Sequence, residues 1–406
     1  MRPLVVVYFI YLFVAFYLLV LYVLTYMQNK KQIFLAPKPD KVRDLSIVVP
    51  CYNEEDSIGK NIESLLKSDY KGLKKIIVVD DCSKDNSYKV IKKYAQKYKK
   101  VIALQTPKNT GCAAGAKNYG AKFAKTELIG FSDADSFPRK DAIDNMVGFF
   151  NDKKVGVVTS RVLVKNKKNK LTKIQSIEYK IIAFTRKILE FLDSVYVANG
   201  PLSIYRKDAF DKTGFNQQNL TEDIELTWNL VSKGYKVKMA MSSIVYTIVP
   251  EKFKVWYKQR LRWDVGGLQT VHTYIKKITS CGMLGTFIIP LFISAWFLGL
   301  TGLIILIYRI TQYIFLRYLS VQSSIAANIS VFTVEEFTLN PTLLFFFGVI
   351  LIALGSAYTL TGLFYSREKE RTGISDIFIY SIFYLLTRPF VLIASFIKWI
   401  RRSRSW

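Results

Sequence analysis

The chain has 406 residues, half of them apolar, and a formal net charge of +27, so it is too long for one small domain and too apolar for a purely soluble one. A basic excess of this size often signals nucleic acid, but these lysines lie between apolar spans and form no single stripe, which favours an anionic lipid surface and a phosphate-bearing substrate over nucleic acid. A single histidine (His272) and four cysteines without paired spacing argue against His-rich metal centres, zinc ribbons and a Ser-His-Asp hydrolase.

Taken in chain order, residues 4–27 are an uncharged stretch long enough to cross a bilayer. The stretch lacks the short apolar region and small-residue cut site of a signal peptide, so it reads as a retained anchor. Lys30 and Lys31 follow, and the excess of positive charge on cytoplasmic loops places the next segment inside the cell. Three more apolar candidates cover 283–308, 342–364 and 374–397, with residues 311–332 as an alternative fifth crossing. The basic residues at 367–371 and at the C-terminus do not fit four simple crossings. Arg388-Pro389 inside the last stretch therefore suggests a broken or re-entrant helix.

Residues 45–247 alternate short apolar runs with helical patterns. Strands are expected at 46–50, 75–80, 101–105, 127–132 and 155–160, and helices at 57–67, 86–99, 113–125 and 141–151. This is the rhythm of an α/β domain with a mostly parallel open sheet. The lysine-rich stretch 165–173 reads as a solvated loop. The chain thus divides into an anchor (1–30), a cytoplasmic domain (31–250), an amphipathic interfacial helix (251–280) and a C-terminal membrane region (281–406).

In open sheets of this kind, ligands sit beyond the carboxyl ends of the strands, and the acidic motifs fall there. Tyr52 and Glu54 follow the first strand, Asp80 and Asp81 the second, and Asp133-Ala134-Asp135 the fourth. Residues two apart in extended chain face the same way, so Asp133 and Asp135 can share one Mg²⁺ or Mn²⁺ together with a substrate diphosphate. Asp80 and Asp81 are placed to accept from a uracil and a ribose, or to cap the next helix. Gly111-Cys112-Ala113-Ala114-Gly115 fits a phosphate turn or tight helix-on-sheet packing equally well.

Thr221 is placed to cap a helix whose first turn holds Glu222 and Asp223. Those acids complement the helix dipole, or Asp223 serves as a general base. Gln259, Arg262 and Trp263 are spaced to share one helix face. They lie within an aromatic, lysine-bearing segment suited to a membrane surface.

Five ordered motifs carry a resemblance: Val49-Pro50-Cys51-Tyr52-Asn53-Glu54, Val79-Asp80-Asp81-Cys82-Ser83, Ser132-Asp133-Ala134-Asp135, Thr221-Glu222-Asp223 and Gln259-Arg260-Leu261-Arg262-Trp263. Over roughly 45–269 the chain resembles the membrane-bound members of glycosyltransferase family 2, with a GT-A fold inserted between transmembrane helices. The last motif is similar to that of synthases making hyaluronan, chitin, cellulose and poly-N-acetylglucosamine. Ceramide glucosyltransferases carry a related one.

The resemblance implies a nucleotide-sugar site at Pro50, Tyr52, Glu54, Asp80, Asp81, Lys117, Asp133, Ala134 and Asp135. It further implies metal at Asp133 and Asp135, catalysis at Asp223 with Glu222, and acceptor or diphosphate contacts from Gly200, Pro201, Gln259, Arg262 and Trp263. The implied reaction is inverting transfer from a UDP-sugar to a β-linked polysaccharide, with passage through the chain's own spans. Transfer of one sugar to a lipid acceptor is the alternative.

Overall fold

The computed structural model describes residues 3–330, 343–364 and 373–401. A 27-residue helix α1 (Pro3–Asn29) leads into the first strand, β1 (Leu45–Cys51). The order then runs α2 (Ile58–Leu66), β2 (Leu73–Asp80), α3 (Ser87–Lys97), β3 (Val101–Gln105), α4 (Ala113–Ala121), β4 (Leu128–Phe131) and β5 (Ser136–Pro138). Next come α5 (Asp144–Val147), β6 (Val155–Val164), α6 (Lys170–Glu190), β7 (Ser203–Arg206), α7 (Lys207–Asp211), α8 (Glu222–Ser232) and β8 (Lys236–Thr247). The chain continues as α9 (Phe253–Tyr274), α10 (Ile289–Ala326), α11 (Leu343–Phe364) and α12 (Ile374–Ile400).

All eight strands form one sheet in the order β3-β2-β1-β4-β7-β6-β8-β5. The β3-β2-β1-β4 half is parallel. β7 runs antiparallel to both β4 and β6, β6 pairs in parallel with β8, and β5 closes the edge antiparallel to β8. The apolar runs 47–49 of β1 and 76–79 of β2 are buried because both faces are covered there. Ile47, Val49, Ile76 and Val78 pack under α2 and α3, whereas Val48, Ile77 and Val79 pack against α4 and Phe131. Burial of each such side chain is worth about 1.5–3 kcal/mol, which is why this half of the domain is rigid enough to hold loops in register. Strand order reverses at β1, flanked by β2 and β4, so the loops after these three strands open into one crevice.

Three differences from the sequence reading have physical reasons. The expected helix at 141–151 is one α-turn followed by a 3₁₀ turn. The lysine-rich stretch ends as a helix start: Asn169 accepts from Thr172 N at 2.9 Å and Thr172 Oγ1 accepts from Asn169 N at 3.0 Å, a reciprocal cap that launches α6 from Lys170. The second strand group, β7 and β8, was not expected. β8 mixes buried and partly buried positions beside Lys, Met and Ser, a pattern weaker than the apolar runs of β1 and β2.

A third apolar cluster joins the domain to the remaining helices through Ile33, Phe184, Trp228, Met239 and Ile288. Among the described residues, three helices are long and apolar enough to cross a membrane: 5–29, 284–326 and 375–400. α11 carries no charge in 22 residues and meets α1 through Tyr358 and Tyr22, whose rings are 5.3 Å apart. α10 is a single helix of 38 residues, so the separate crossing at 311–332 is not formed within the described residues. α12 is also unbroken, with Pro389 inside it. The break expected at Arg388-Pro389 is not formed, and Arg388, a costly charge in lipid, has a partner in Asp264 on α9. The basic residues at 367–371 and those from 402 onward lie outside the described residues.

Candidate active site

One cleft of about 1070 Å³ runs from the ends of β1, β2 and β4 to the face of α9 and on between α6, α10 and α12. Pro50, Tyr52 and Glu54 wall it after β1, Asp81 after β2, and Asp133, Ala134 and Asp135 after β4. Lys117 enters from α4, Gly200 and Pro201 from the loop before β7, and Glu222 and Asp223 from the first turn of α8. Gln259, Arg262 and Trp263 arrive together on one face of α9. The structure therefore brings the motif residues into a single cavity, with one exception. Asp80 is fully buried beneath it and accepts from Gln105 Nε2 at 2.9 Å and Ser83 N at 3.2 Å. It is a joint of the sheet edge, where the sequence suggested a nucleotide contact.

Asp81 lines the cleft, but its carboxylate is already engaged. It accepts from Thr106 Oγ1 at 2.7 Å, Thr110 N at 3.0 Å and Thr110 Oγ1 at 2.8 Å. The carboxylate thus fastens the loop that carries Gly111 and Cys112 over the cavity. The 199–201 loop is fixed just as firmly. Thr159 donates to Asn199 Oδ1 at 2.8 Å, Asn199 Nδ2 donates to Ser160 O at 3.0 Å, and Ser132 Oγ donates to Pro201 O at 2.9 Å. That last bond places Gly200 directly against the carboxylate of Asp133, where a Cβ would overlap Oδ2. Gly266 does the same for α9. A side chain there would strike Thr221, so only glycine lets the helix bearing Gln259 and Trp263 approach the start of α8 this closely.

The electrostatics separate the acids. Lys117 is 3% exposed and holds Glu222 Oε1 at 2.9 Å and Asp133 Oδ1 at 3.5 Å. Burial opposes the charge on Glu222, but the Lys117 ammonium beside it holds its pKa below the usual carboxylate value. Asp223 goes the other way. Burial, and then the neighbouring Glu222 charge, push it above the ordinary range, although Lys117 works against the shift. Its carboxylate accepts from Ile224 N at 2.9 Å. Thr221 precedes the helix but makes no side-chain cap. Glu222 is thus an ionised anchor for Lys117, and Asp223 is the more basic of the pair.

Asp135 is pushed up to about 7 by burial, with Asp133 and Glu54 adding to it. Glu54 is itself raised by burial and by Asp133, against a 2.5 Å bond from Ser57 Oγ. Two carboxylates that disfavour each other's charge suit a divalent cation that relieves the repulsion. Among the described residues no group of three potential ligands converges, so a bound substrate would have to complete any such shell.

A second layer of ionisable groups lies behind the first; the sequence named Arg260 only within its motif and Arg388 only as part of an expected helix break, and gave Glu178 and Asp264 no role. Arg260, 1% exposed, pairs with Glu178 of α6, and Arg388 of α12 donates to Asp264 Oδ1 at 3.0 Å. All four line the cleft. Their only signal in the chain was charge inside otherwise apolar or aromatic helices.

An open sheet with paired carboxylates at its strand ends, a base candidate and a cation-aromatic helix beside it is a GT-A fold. Residues 46–214 match the Glycosyl transferase family 2 profile and are a domain of that family. The chain is 30% identical over 262 residues to a poly-beta-1,6-N-acetyl-D-glucosamine synthase from Staphylococcus aureus, 63% of each chain. It is also 30% identical over 241 residues to the synthase of the same name from Staphylococcus epidermidis, 58% of each. The match therefore spans less than two thirds of these relatives. The fold is similar over 98% of this chain and 99% of the other to a mannosyltransferase from Pyrobaculum calidifontis solved with GDP-Man and Mn²⁺, with a TM-score of 0.63 and 17% identity.

Proposed function

We propose that the chain is an inverting glycosyltransferase that uses a UDP-sugar on the cytoplasmic face of the membrane, extends a β-linked polysaccharide and passes it between its own helices. The observation that carries this reading is continuity. The cavity holding Asp133, Asp135 and Asp223 extends without a break past Trp263 to walls made by α10 and α12.

In this mechanism the pocket of Pro50, Tyr52 and Asp81 receives the nucleotide, and Asp133 and Asp135 hold Mn²⁺ or Mg²⁺. Bound there, the cation would neutralise charge on the departing diphosphate. Lys117 and Arg262 supply protein cations on the same side. Trp263 and Gln259 present the acceptor sugar toward Asp223, which takes the proton from the attacking hydroxyl. The new carbon–oxygen bond forms at the anomeric carbon as the bond to UDP breaks, and UDP leaves with the electron pair. One base and one displacement give inversion.

The test is synthesis by the purified full-length chain. Radiolabelled UDP-N-acetylglucosamine, with Mn²⁺ or Mg²⁺, should give a product that runs as a polymer on a gel. A glycolipid bearing one sugar would favour transfer to a lipid acceptor, and no transfer from any member of a UDP-sugar panel would end the reading.

A further inference from the structure

Arg260 is the charged member of the Gln259–Trp263 segment without an assigned role, and it is buried among several partners. Nη1 donates to Gln259 Oε1 at 2.7 Å. Nη2 donates to Glu178, across on α6. The guanidinium carbon lies over the Trp263 ring, 4.1 Å from its centre, and 5.7 Å from the centre of the Trp256 ring. One buried side chain therefore touches both motif residues that face the acceptor and ties them to a second helix.

A guanidinium only donates. The atom of Gln259 turned toward it must be the carbonyl oxygen, which leaves the amide N–H groups of Gln259 for the cavity. Stacking on Trp263 likewise fixes the ring's tilt. We propose that Arg260 is a positioning residue for acceptor binding: anchored by Glu178, it sets the amide polarity of Gln259 and the plane of Trp263 that receive the acceptor glycan. The inference rests on the reading of Gln259 and Trp263 as acceptor contacts.

Lysine distinguishes this role from that of a simple ion pair. Arg260→Lys keeps the charge opposite Glu178 but loses the planar stack and the second donor. If the pair only holds α6 to α9, lysine restores activity. If Arg260 orients the acceptor site, lysine does not.

The experiment uses full-length protein in vesicles, with UDP-N-acetylglucosamine and β-1,6-linked N-acetylglucosamine oligosaccharides as probes. Arg260→Lys, and Arg260→Met combined with Glu178→Leu to remove both buried charges, should raise the acceptor KM at least tenfold while the donor KM stays within twofold. Trp263→Ala should show the same split. Retention of wild-type acceptor KM by Arg260→Lys would overturn the inference. So would donor and acceptor constants that change together in the double variant. If Trp263→Ala leaves acceptor use intact, the assignment of the acceptor site itself fails, a separate result.

Discussion

The backbone of Gly200 lies against the carboxylate of Asp133 so closely that no Cβ fits between them. The loop is held in place by Ser132 and Asn199, so the carboxylate is the part that would yield. Gly200→Ala should keep the fold, with melting temperature within a few degrees of wild type. It should still lower donor turnover roughly 10²-fold, the scale expected when a reacting group is moved by about 1 Å. Near-normal turnover would show that Asp133 needs no fixed position.

Asp223→Asn should abolish transfer while donor binding survives. A lost general base costs roughly 10²–10⁴ in rate, and the amide preserves the bond from Ile224 N. Equilibrium binding of the UDP-sugar, measured beside turnover, separates the two effects.

The acid limb of the rate profile follows from the same residue. Burial and Glu222 raise the Asp223 pKa, and a base works only when deprotonated. Transfer should therefore fall as pH drops through that raised value, with its midpoint above the ordinary aspartate value of about 3.9. A profile flat down to pH 4 would contradict the assignment.

In the proposed mechanism Asp135 serves the cation at a cost in stability. It is buried beside Asp133 and Glu54, so Asp135→Asn removes a repulsion and should stabilise the cation-free protein by on the order of 1 kcal/mol. The same change should eliminate the dependence of donor binding on Mn²⁺ or Mg²⁺. Thermal melts with and without the cation measure both outcomes at once.

Arg388 and Asp264 offer a test outside the catalytic centre. Asp264 is 9% exposed and its Oδ2 has no partner among the described residues. Arg388→Leu would strip its one ion pair and should destabilise the chain by a few kcal/mol, the cost of a buried charge left alone. Adding Asp264→Leu should recover most of that loss.

How far the chain could be read ahead of its structure varied with the strength of the local pattern. β1, β2 and β3 declared themselves through short apolar runs, and Asp133, Asp135 and Asp223 through position at strand and helix ends. β7 and β8 were hidden because their register depends on partners far away in sequence, which no local period records. Asp80 and Asp81 looked interchangeable as neighbours. The pleat sends one into the sheet edge and the other to the cavity, a difference of face that only the pairing of β2 with β1 and β3 decides. Arg388 looked like an uncompensated charge beside Pro389 because the sequence could not show Asp264 waiting across the interface.

The unbroken run of α10 has a mechanical consequence. At 38 residues it measures about 57 Å, nearly twice the roughly 30 Å of hydrocarbon in a bilayer. A rod of that length has to lean or stand proud of the lipid. Phe292 and Trp296 near its start wall the cleft, so on the proposed function a lean of this helix would move part of the product's enclosure. On that reading, acyl-chain length would itself act on catalysis.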